Sequence, residues 1–325
     1  MKILITGGSG FIGSNLAKKL LKSGHEITIF DNEVRGQISR LNDISGDIKY
    51  VKGDIRDFDA VSKAAKGIDL LAHLAYINGT EHFYTIPEII LEVALKGIVN
   101  TVQAAIENKV PQFLLMSSSE VYQTPDVIPT PEDILMKIPD AFNPRYSYGG
   151  GKLISELYLI NFARKYFDRA LIVRPHNIYG PDMGWEHVIP HFAVRASQLH
   201  EHFKNGDVMP FEIQGSGLQT RAFSYIDDFV DGCDLIVNSG LHNNIYNLGT
   251  DEEITVKDLA SKVLNYFSLS PEIISKQEPE GQTNRRCPDL EKIRRLGFVP
   301  KISLDEGLHR TLQWYEEELK TKNRH

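Results

Sequence analysis

A short apolar strand that runs directly into a glycine-rich turn constrains this chain more than any other feature. Residues 2–6 (KILIT) precede Gly7, Gly10 and Gly13, which are spaced three residues apart and open an amphipathic helical pattern. In a strand–turn–helix unit these glycines permit a tight turn, close approach of the backbone to a pyrophosphate, and a helix N-terminus that faces the phosphates. The turn therefore predicts a dinucleotide site made by Gly7, Gly10, Phe11, Ile12 and Gly13.

A second strand, over residues 26–31, ends at Asp31 and is followed by Asn32. An acidic residue at this distance from the glycine turn accepts hydrogen bonds from the adenosine ribose and repels a ribose 2′-phosphate, so we expect NAD rather than NADP. Arg35 is the counter-argument, because a guanidinium could pair with that phosphate.

Strand-like runs alternate with helical patterns through the first half of the chain. We predict strands at residues 2–6, 26–31, 48–54, 70–75, 112–118 and 170–175, and helices near 11–23, 57–66, 85–108 and 146–167. Such alternation requires crossover connections, so the predicted fold class is α/β, a Rossmann-like doubly wound parallel sheet covered on both faces. The chain is long enough, at 325 residues, for this sheet and a second lobe.

The pattern changes near residue 176. We predict an NAD-binding domain over 1–175, to which residues 227–250 return as a helix and a strand. Residues 176–226 and 251–325 form a smaller, largely C-terminal substrate-binding lobe, with helices near 189–204, 255–268, 289–296 and 303–321 and short strands near 211–214 and 222–226. Ligands of open α/β sheets bind at the carboxyl ends of the strands, where we expect the cofactor to contact Asp54, Ile55, Leu74, Ala75 and Pro175.

Composition excludes several classes of function. The net charge of −7 without a basic block argues against nucleic acid and anionic membranes as partners. Two cysteines, Cys233 and Cys287, are too few for a disulfide framework, and pairs such as His200 and His202 have no third metal ligand nearby, so we expect no metal. The first strand starts at Lys2, which leaves no room for a signal peptide, and we expect a cytoplasmic protein.

Tyr148 and Lys152 lie four residues apart on one predicted helix and therefore share a face. An ammonium beside a phenol favours the ionised form, so we expect the pKa of Tyr148 to be lowered toward working pH, which would make the tyrosine a general base.

Together with the glycine turn, the motifs in order are Asp54 in GDIRD, HLA at 73–75, Ser118, the Tyr148/Lys152 pair, RPHNIYGP at 174–181 and QTRAFSYID at 219–227. Across nearly the whole chain the sequence resembles the extended short-chain dehydrogenase/reductase family that remodels nucleotide sugars. It departs from that family at Tyr76, where a second alanine is common, at Ala94, where asparagine is frequent, and at His176, where phenylalanine is usual.

The resemblance implies a role for each matching residue. Ser118 would hydrogen-bond the sugar C4 hydroxyl, Tyr148 would take its proton while hydride passes to NAD, and Lys152 would bind the nicotinamide ribose. The nucleotide-diphosphate sugar would contact Ser119, Asn177, Arg221, and Arg285 or Arg286; alternatively, the last two arginines are solvated surface residues.

Glu120, two residues past Ser118, separates the subclasses of this family. In GDP-mannose 4,6-dehydratases and UDP-glucuronate decarboxylases, which the chain resembles here, a carboxylate at this place serves C5 after oxidation at C4. GDP-mannose 3,5-epimerases resemble the chain around Arg221 but carry cysteine at this place, and simple 4-epimerases need no group at C5. Glu120 could instead be a capping or surface acid.

Two further expectations come from the resemblance. Two subunits would pair through the helices near 85–108 and 146–167 as a symmetric homodimer. A non-enzymatic NAD-binding sensor or assembly protein is the alternative of another class, but such proteins tend to lose the Tyr/Lys pair that this chain keeps.

Overall fold

Seven parallel strands form the central sheet of the computed structural model, which describes residues 1–204, 209–277 and 283–322. All strands, numbered along the chain, are β1 Lys2–Thr6, β2 Glu26–Asp31, β3 Ile48–Lys52, β4 Leu70–His73, β5 Gln112–Met116, β6 Arg169–Pro175, β7 Ile178–Tyr179, β8 Phe211–Gln214, β9 Thr220–Ala222, β10 Ser224–Tyr225, β11 Asn244–Leu248, β12 Glu253–Thr255, β13 Ile273–Lys276 and β14 Arg285–Arg286.

The helices cover both faces of this sheet and build the second lobe. They are α1 Phe11–Lys22, α2 Phe58–Ala64, α3 Thr80–Thr85, α4 Pro87–Glu107, α5 Tyr146–Tyr166, α6 Val188–Lys204, α7 Ile226–Ser239, α8 Val256–Tyr266, α9 Glu291–Arg294 and α10 Leu304–Lys322, with 3₁₀ turns at Ile38–Ile44 and Ser119–Tyr122.

The sheet has the strand order β11-β6-β5-β4-β1-β2-β3, so the winding direction reverses between β1 and β4. Side chains of the central strands, such as Leu4, Ile5 and Leu114, are fully buried because helices pack on both faces. The predicted fold class is confirmed. A reversal of this kind opens a crevice at the carboxyl ends of the strands, beside Thr6 and His73.

Some predicted elements differ in detail. The predicted strands at 48–54, 70–75 and 112–118 end at Lys52, His73 and Met116, because the chain turns there to line the crevice. The predicted helix near 85–108 is α4, which Pro87 begins, and the short helix α3, Thr80–Thr85, precedes it and was not predicted. The predicted strand near 222–226 is divided into β9 and β10.

The second lobe contains short strands that the sequence pattern did not predict. Strand β9 pairs with β12 antiparallel and with β14 parallel, which places Arg286 opposite Arg221. Strand β13 pairs with β8. Strand β11 lies beside β6 at the edge of the main sheet, so the chain returns from the lobe to that sheet before it re-enters the lobe.

Helix α4 packs against α5 on one face of the sheet. Within the described ranges, α4 is the one helix long and apolar enough to cross a membrane by length and composition, and 44 % of that stretch is buried inside the protein. A core helix passes the same test, so this observation is weak evidence for a membrane span.

Candidate active site

The glycine turn between β1 and α1 is shaped to hold a dinucleotide. Gly7 has a φ of 71°, and a side chain there would place its Cβ 2.6 Å from the Ala75 amide nitrogen. A Cβ at Gly13 would lie 2.2 Å from the Gly7 carbonyl oxygen. Only glycine fits these two positions, and the bare backbone they leave at the N-terminus of α1 suits a pyrophosphate.

Asp31, at the end of β2, is held by two backbone amides. The amides of Ser9 and Glu33 donate to its two carboxylate oxygens at 3.0 and 2.8 Å, so the buried carboxylate has a fixed orientation. Arg35 does not turn toward it, because the guanidinium pairs with Glu186 of the second lobe at 2.8 Å. Both observations favour NAD over NADP.

The predicted cofactor and catalytic residues lie together in one cleft of about 540 Å³. Those lining it are Gly7, Gly10, Phe11, Ile12, Gly13, Asp31, Asn32, Asp54, Ile55, Leu74, Ala75, Ser118, Glu120, Tyr148, Lys152 and Pro175. The cleft has the residues that NAD requires: a glycine turn for the pyrophosphate, an acid for the ribose, and a lysine at the far end.

Two ion pairs cross the mouth of this cleft between the sheet domain and the second lobe. Besides the Arg35–Glu186 pair, Arg40 makes a bidentate contact with Asp182, at 2.8 Å to each carboxylate oxygen. Arg40 also donates to the Ser9 carbonyl at 3.3 Å, directly beside the glycine turn. Together these contacts close one side of the cofactor cleft.

Tyr148 lies in the first turn of α5 and faces the 3₁₀ turn that carries Ser118 and Glu120. The expectation that its pKa is lowered is wrong for the protein without ligands. Burial raises the pKa of the Tyr148 phenol far above its ordinary value, a hydrogen bond with Ser118 opposes this increase, and the charge of Glu120 adds to it. The ammonium of Lys152 lies 5.8 Å from the ring centre. Burial therefore outweighs the attraction that the four-residue spacing suggested.

Lys152 is buried, and its Nζ donates to the Met116 carbonyl oxygen at 2.7 Å. Burial lowers the pKa of Lys152 to about 7, and the charge of Glu156 one turn further along α5 opposes this decrease. The lysine thus has one fixed hydrogen bond at the end of β5 and further N–H groups for a ligand.

Glu120 is an ion-paired carboxylate in the floor of the cleft. Arg286 Nη1 donates to Glu120 Oε1 at 2.6 Å, and the two side chains are 8 % and 21 % exposed. Burial alone would raise the pKa of Glu120, but the charge and hydrogen bond of Arg286, with the charges of Arg145 and Arg221, lower it below its ordinary value. The site therefore holds an ionised acid within a predominantly positive environment.

The predicted substrate residues separate into two groups. Ser119, Asn177 and Arg286 line the cleft, whereas Arg221 and Arg285 do not. Arg221 is one strand away and acts on Glu120 through its charge. Arg285 points outward, is 51 % exposed, and pairs with Glu253 at 2.6 Å. Of the two arginine alternatives, Arg286 is therefore the one that lines the cleft, and Arg285 is the one at the surface.

Sequence reasoning gave no role to three residues of the site, although it singled out Tyr76 as a departure from the family pattern. The rings of Tyr76 and Phe83 pack on Tyr148, with centroids 5.1 and 5.2 Å away. Arg145 precedes α5 and contributes positive charge at Glu120. Its position three residues before Tyr148 is a sequence signal that could have identified it, while the aromatic contacts depend on the loop after β4.

A buried polar network supports α5 from behind. Arg174 and Glu156 are almost fully buried and pair through two hydrogen bonds, at 2.9 and 2.6 Å. Arg174 also donates to the Tyr122 hydroxyl at 2.6 Å, and Tyr122 donates to Asn247 at 2.7 Å. The network joins α5 to β6 and β11, and so fixes Tyr148 and Lys152 relative to the sheet.

The chain is similar to known proteins along its whole length. The sequence profile of the NAD dependent epimerase/dehydratase family matches residues 3–249. UDP-glucuronic acid decarboxylase 1 of Danio rerio is 31 % identical over 98 % of this chain and 73 % of its own, and UDP-N-acetyl-alpha-D-glucosaminuronate decarboxylase of Bacillus cytotoxicus is 31 % identical over 97 % and 98 %.

The chain is also similar to solved structures of enzymes that are named for other reactions. The dTDP-glucose 4,6-dehydratase DesIV of Streptomyces venezuelae, with NAD bound, superposes with a TM-score of 0.87 at 26 % identity over 99 % of this chain and 98 % of its own. The UDP-glucose 4-epimerase of Thermotoga maritima, with UDP-glucose, gives 0.84 at 28 % identity over 98 % and 100 %.

Proposed function

The chain belongs to the NAD-dependent epimerase/dehydratase family and is an NAD-dependent enzyme, and we propose that it decarboxylates a nucleotide-linked uronic acid after oxidising the sugar at C4. The observation that carries this proposal is the ion pair of Glu120 with Arg286 in the cleft, surrounded by the further positive charges of Arg145 and Arg221. The charges of three arginines act on Glu120, and a cleft with this positive field suits a second anion such as a C6 carboxylate.

The residues of the cleft would divide the work as follows. Ser118 orients the sugar C4 hydroxyl, and Tyr148 takes its proton. The glycine turn, Asp31 and Lys152 would hold NAD, which when bound would supply the hydride chemistry at C4 in both directions. The resulting ketone lies β to the carboxylate, so the C5–C6 bond can break with loss of CO₂ while its electron pair moves to the C4 oxygen beside Ser118 and Tyr148. Protonation of C5 consumes one proton from solvent; Glu120, which is ionised in its pair with Arg286, would first take up this proton and then pass it to C5.

Lys152 has two tasks in this scheme. Its fixed hydrogen bond to Met116 leaves N–H groups for the nicotinamide ribose, and its positive charge stabilises the tyrosinate that forms when Tyr148 ionises. Burial disfavours that tyrosinate, so the hydrogen bond from Ser118 and the positive charge of Lys152 would have to offset the cost of forming it.

A 4,6-dehydratase is the second candidate, and Glu120 favours it specifically. An ionised carboxylate in the cleft can accept the C5 proton, after which water leaves from C6. The superposition with a dTDP-glucose 4,6-dehydratase is compatible with this reaction. A 4-epimerase requires no acid or base at C5, and the paired Glu120 would have no task in it.

Product analysis by mass spectrometry separates the three reactions. We expect UDP-glucuronate, or its N-acetylated relative, to lose one CO₂, and UDP-glucose to remain unchanged. Loss of one water from UDP-glucose or dTDP-glucose would establish the dehydratase instead, and an altered sugar of unchanged mass would establish an epimerase. UDP-, GDP-, dTDP- and CDP-sugars together cover the nucleotides.

Two neighbouring arginines provide a matched test of the carboxylate site. Arg286→Leu removes the positive charge and leaves Glu120 unpaired, so we expect KM for UDP-glucuronate to rise at least about tenfold, roughly 1.4 kcal/mol, while binding of UDP-glucose changes little. Arg285→Leu removes only the surface pair with Glu253 and serves as the control. Equal weakening of the binding of UDP-glucuronate and of UDP-glucose would show that Arg286 does not bind the C6 carboxylate.

Glu120→Gln tests the step after C4 oxidation. The amide keeps the shape of the side chain but cannot exchange a proton with C5, so we expect bound NADH to accumulate with little released product. Turnover at the parent rate would exclude Glu120 from C5 chemistry and would favour a 4-epimerase.

A further inference from the structure

Tyr76 follows β4 and lines the same cleft. Its ring face lies 3.8 Å from Lys152 Nζ, measured to the ring centre, and its ring is edge-on to Tyr148 at 5.1 Å and 83°. Its hydroxyl donates weakly to the Tyr148 carbonyl at 3.4 Å. The Tyr76 side chain thus contacts both Tyr148 and Lys152, although it lies in the loop after β4 and they lie on α5.

A contact that favours the ammonium matters at Lys152, because burial weakens the preference of this side chain for its charged form. Its Nζ has the single carbonyl of Met116 at hydrogen-bond distance, and burial lowers its pKa to about 7. The face of an aromatic ring attracts an ammonium but not an amine, most strongly where water is excluded. The Tyr76 ring therefore favours the charged form of Lys152.

The catalytic helix is built to admit this ring. A Cβ at Gly151 would lie 2.2 Å from the Tyr76 hydroxyl and 2.7 Å from Ala94 Cβ. Glycine weakens the interior of a helix, so a glycine immediately before Lys152 has a packing reason here. The space that Gly151 leaves is the space that the end of the Tyr76 side chain uses.

We propose that Tyr76 is a positioning residue that holds Lys152 beside Tyr148 and keeps its amine charged. This proposal depends on the proposed function only in taking Tyr148 and Lys152 together as the general base. The other titratable groups that face Lys152 are Glu156 on α5, Tyr148, and His73 on β4. His73 is neutral at working pH, because burial and the charge of Lys152 lower its pKa to about 3.

The test measures the ionisation of Lys152 directly, without any nucleotide sugar. Trace acetylation with acetic anhydride across a pH series, read for the Lys152 peptide by mass spectrometry, gives the midpoint at which the amine becomes reactive. Tyr76→Leu keeps apolar bulk but removes the aromatic face, and we expect the midpoint to fall by about one pH unit. Tyr76→Phe keeps the face and should retain the parent's midpoint.

Two further variants keep the proposal falsifiable. Phe83→Leu removes an aromatic neighbour of Tyr148 that does not lie over Lys152, so its midpoint should match the parent's. Gly151→Ala displaces Tyr76 without altering it and should lower the midpoint in the same direction as Tyr76→Leu, which provides the measurement if Tyr76→Leu does not fold. An unchanged midpoint in Gly151→Ala and in any folded Tyr76→Leu protein, or an equal fall in Tyr76→Phe, would overturn the proposal.

The acetylation experiment does not depend on which reaction the enzyme catalyses. If the chain proves to be an epimerase or a dehydratase, the acetylation midpoint of Lys152 can still be measured and still tests the role of Tyr76. If the midpoint does not move while uronate decarboxylation is observed, the role of Tyr76 fails and the proposed reaction stands.

Discussion

Tyr148 lies beside Ser118 in the cleft, where burial disfavours its anion. In the proposed mechanism its ionisation would therefore depend on groups that act on it together, the Ser118 hydroxyl and the ammonium of Lys152. The tyrosine is also packed between two aromatic rings, so its orientation does not depend on its hydroxyl group.

Tyr148→Phe is expected to bind NAD as the parent does and to lose about 10²–10⁴-fold of the rate of C4 oxidation. The ring still fills its place between Tyr76 and Phe83, while the proton acceptor is gone. Calorimetry with NAD and single-turnover formation of NADH measure the two properties separately. A rate within a few fold of the parent would remove Tyr148 from the mechanism.

At this scale the sequence predicted most of the cleft, because its residues belong to local motifs. The glycines, Asp31, Tyr148 and Lys152 follow from spacing within one strand, turn or helix, and Ser118 follows from the family motif that the chain resembles. It could not choose between Arg285 and Arg286, since that choice depends on the β9–β14 register and on a partner 166 residues away. Nor could spacing reveal that burial governs the pKa of Tyr148.

At the scale of elements, the three consecutive glycines of α5 differ in how much space surrounds them. A Cβ at Gly149 would lie 2.4 Å from the side-chain Nε2 of Gln123 and 2.9 Å from the backbone carbonyl oxygen of Glu120. Gly151 is equally crowded. At Gly150 the nearest atom is the end of the Ile138 side chain, at 3.4 Å. Two of the glycines are thus needed for packing, and the third is not.

We expect Gly150→Ala to stabilise the protein by about 0.5–1 kcal/mol, because alanine is the better helix former and the site has room. Gly149→Ala and Gly151→Ala should instead destabilise it, by about 1–3 kcal/mol, since backbone or packed side chains must move. Urea denaturation of the three variants measures the difference. A stabilised Gly149→Ala would show that the turn at Glu120 adapts easily.

Element types were predictable from periodicity, while short elements and boundaries were not. The main strands and long helices repeat with clear periods, but β7, β10 and β14 have two residues each and exist only because a partner strand lies alongside. The six-residue helix α3 was also not predicted; it ends at Thr85, just before Pro87 begins α4.

At the scale of the whole molecule, the outer faces of α4 and α5 expose apolar side chains. They include Leu95 and Val99 on α4 and Ile154, Leu157 and Tyr166 on α5, each 36–46 % exposed. Neighbouring apolar side chains on two adjacent helices suit an isologous contact with the same helices of a second copy. The homodimer remains a prediction on this basis, as does a cytoplasmic location.

Sedimentation at micromolar concentration is expected to give twice the chain mass of 36.7 kDa. Leu157→Arg should shift the protein toward monomer, because a charge would be buried without a partner at the interface. Leu241→Arg changes an exposed leucine away from these helices and is the matched control. A parent protein that sediments only as a monomer would contradict the prediction.

The two ion pairs that cross the cofactor cleft, Arg35–Glu186 and Arg40–Asp182, bear on how long NAD stays bound. A reaction that returns its hydride to the same sugar consumes no reducing equivalents, so the enzyme has no need to exchange its nucleotide between turnovers. Because these ion pairs close one side of the cleft, the purified protein should retain NAD from its host cell. Raising the salt concentration or introducing Asp182→Asn should shorten the residence time of NAD a few-fold, as chase experiments with isotope-labelled NAD would show. NAD would then act as a resident prosthetic group rather than as a cosubstrate.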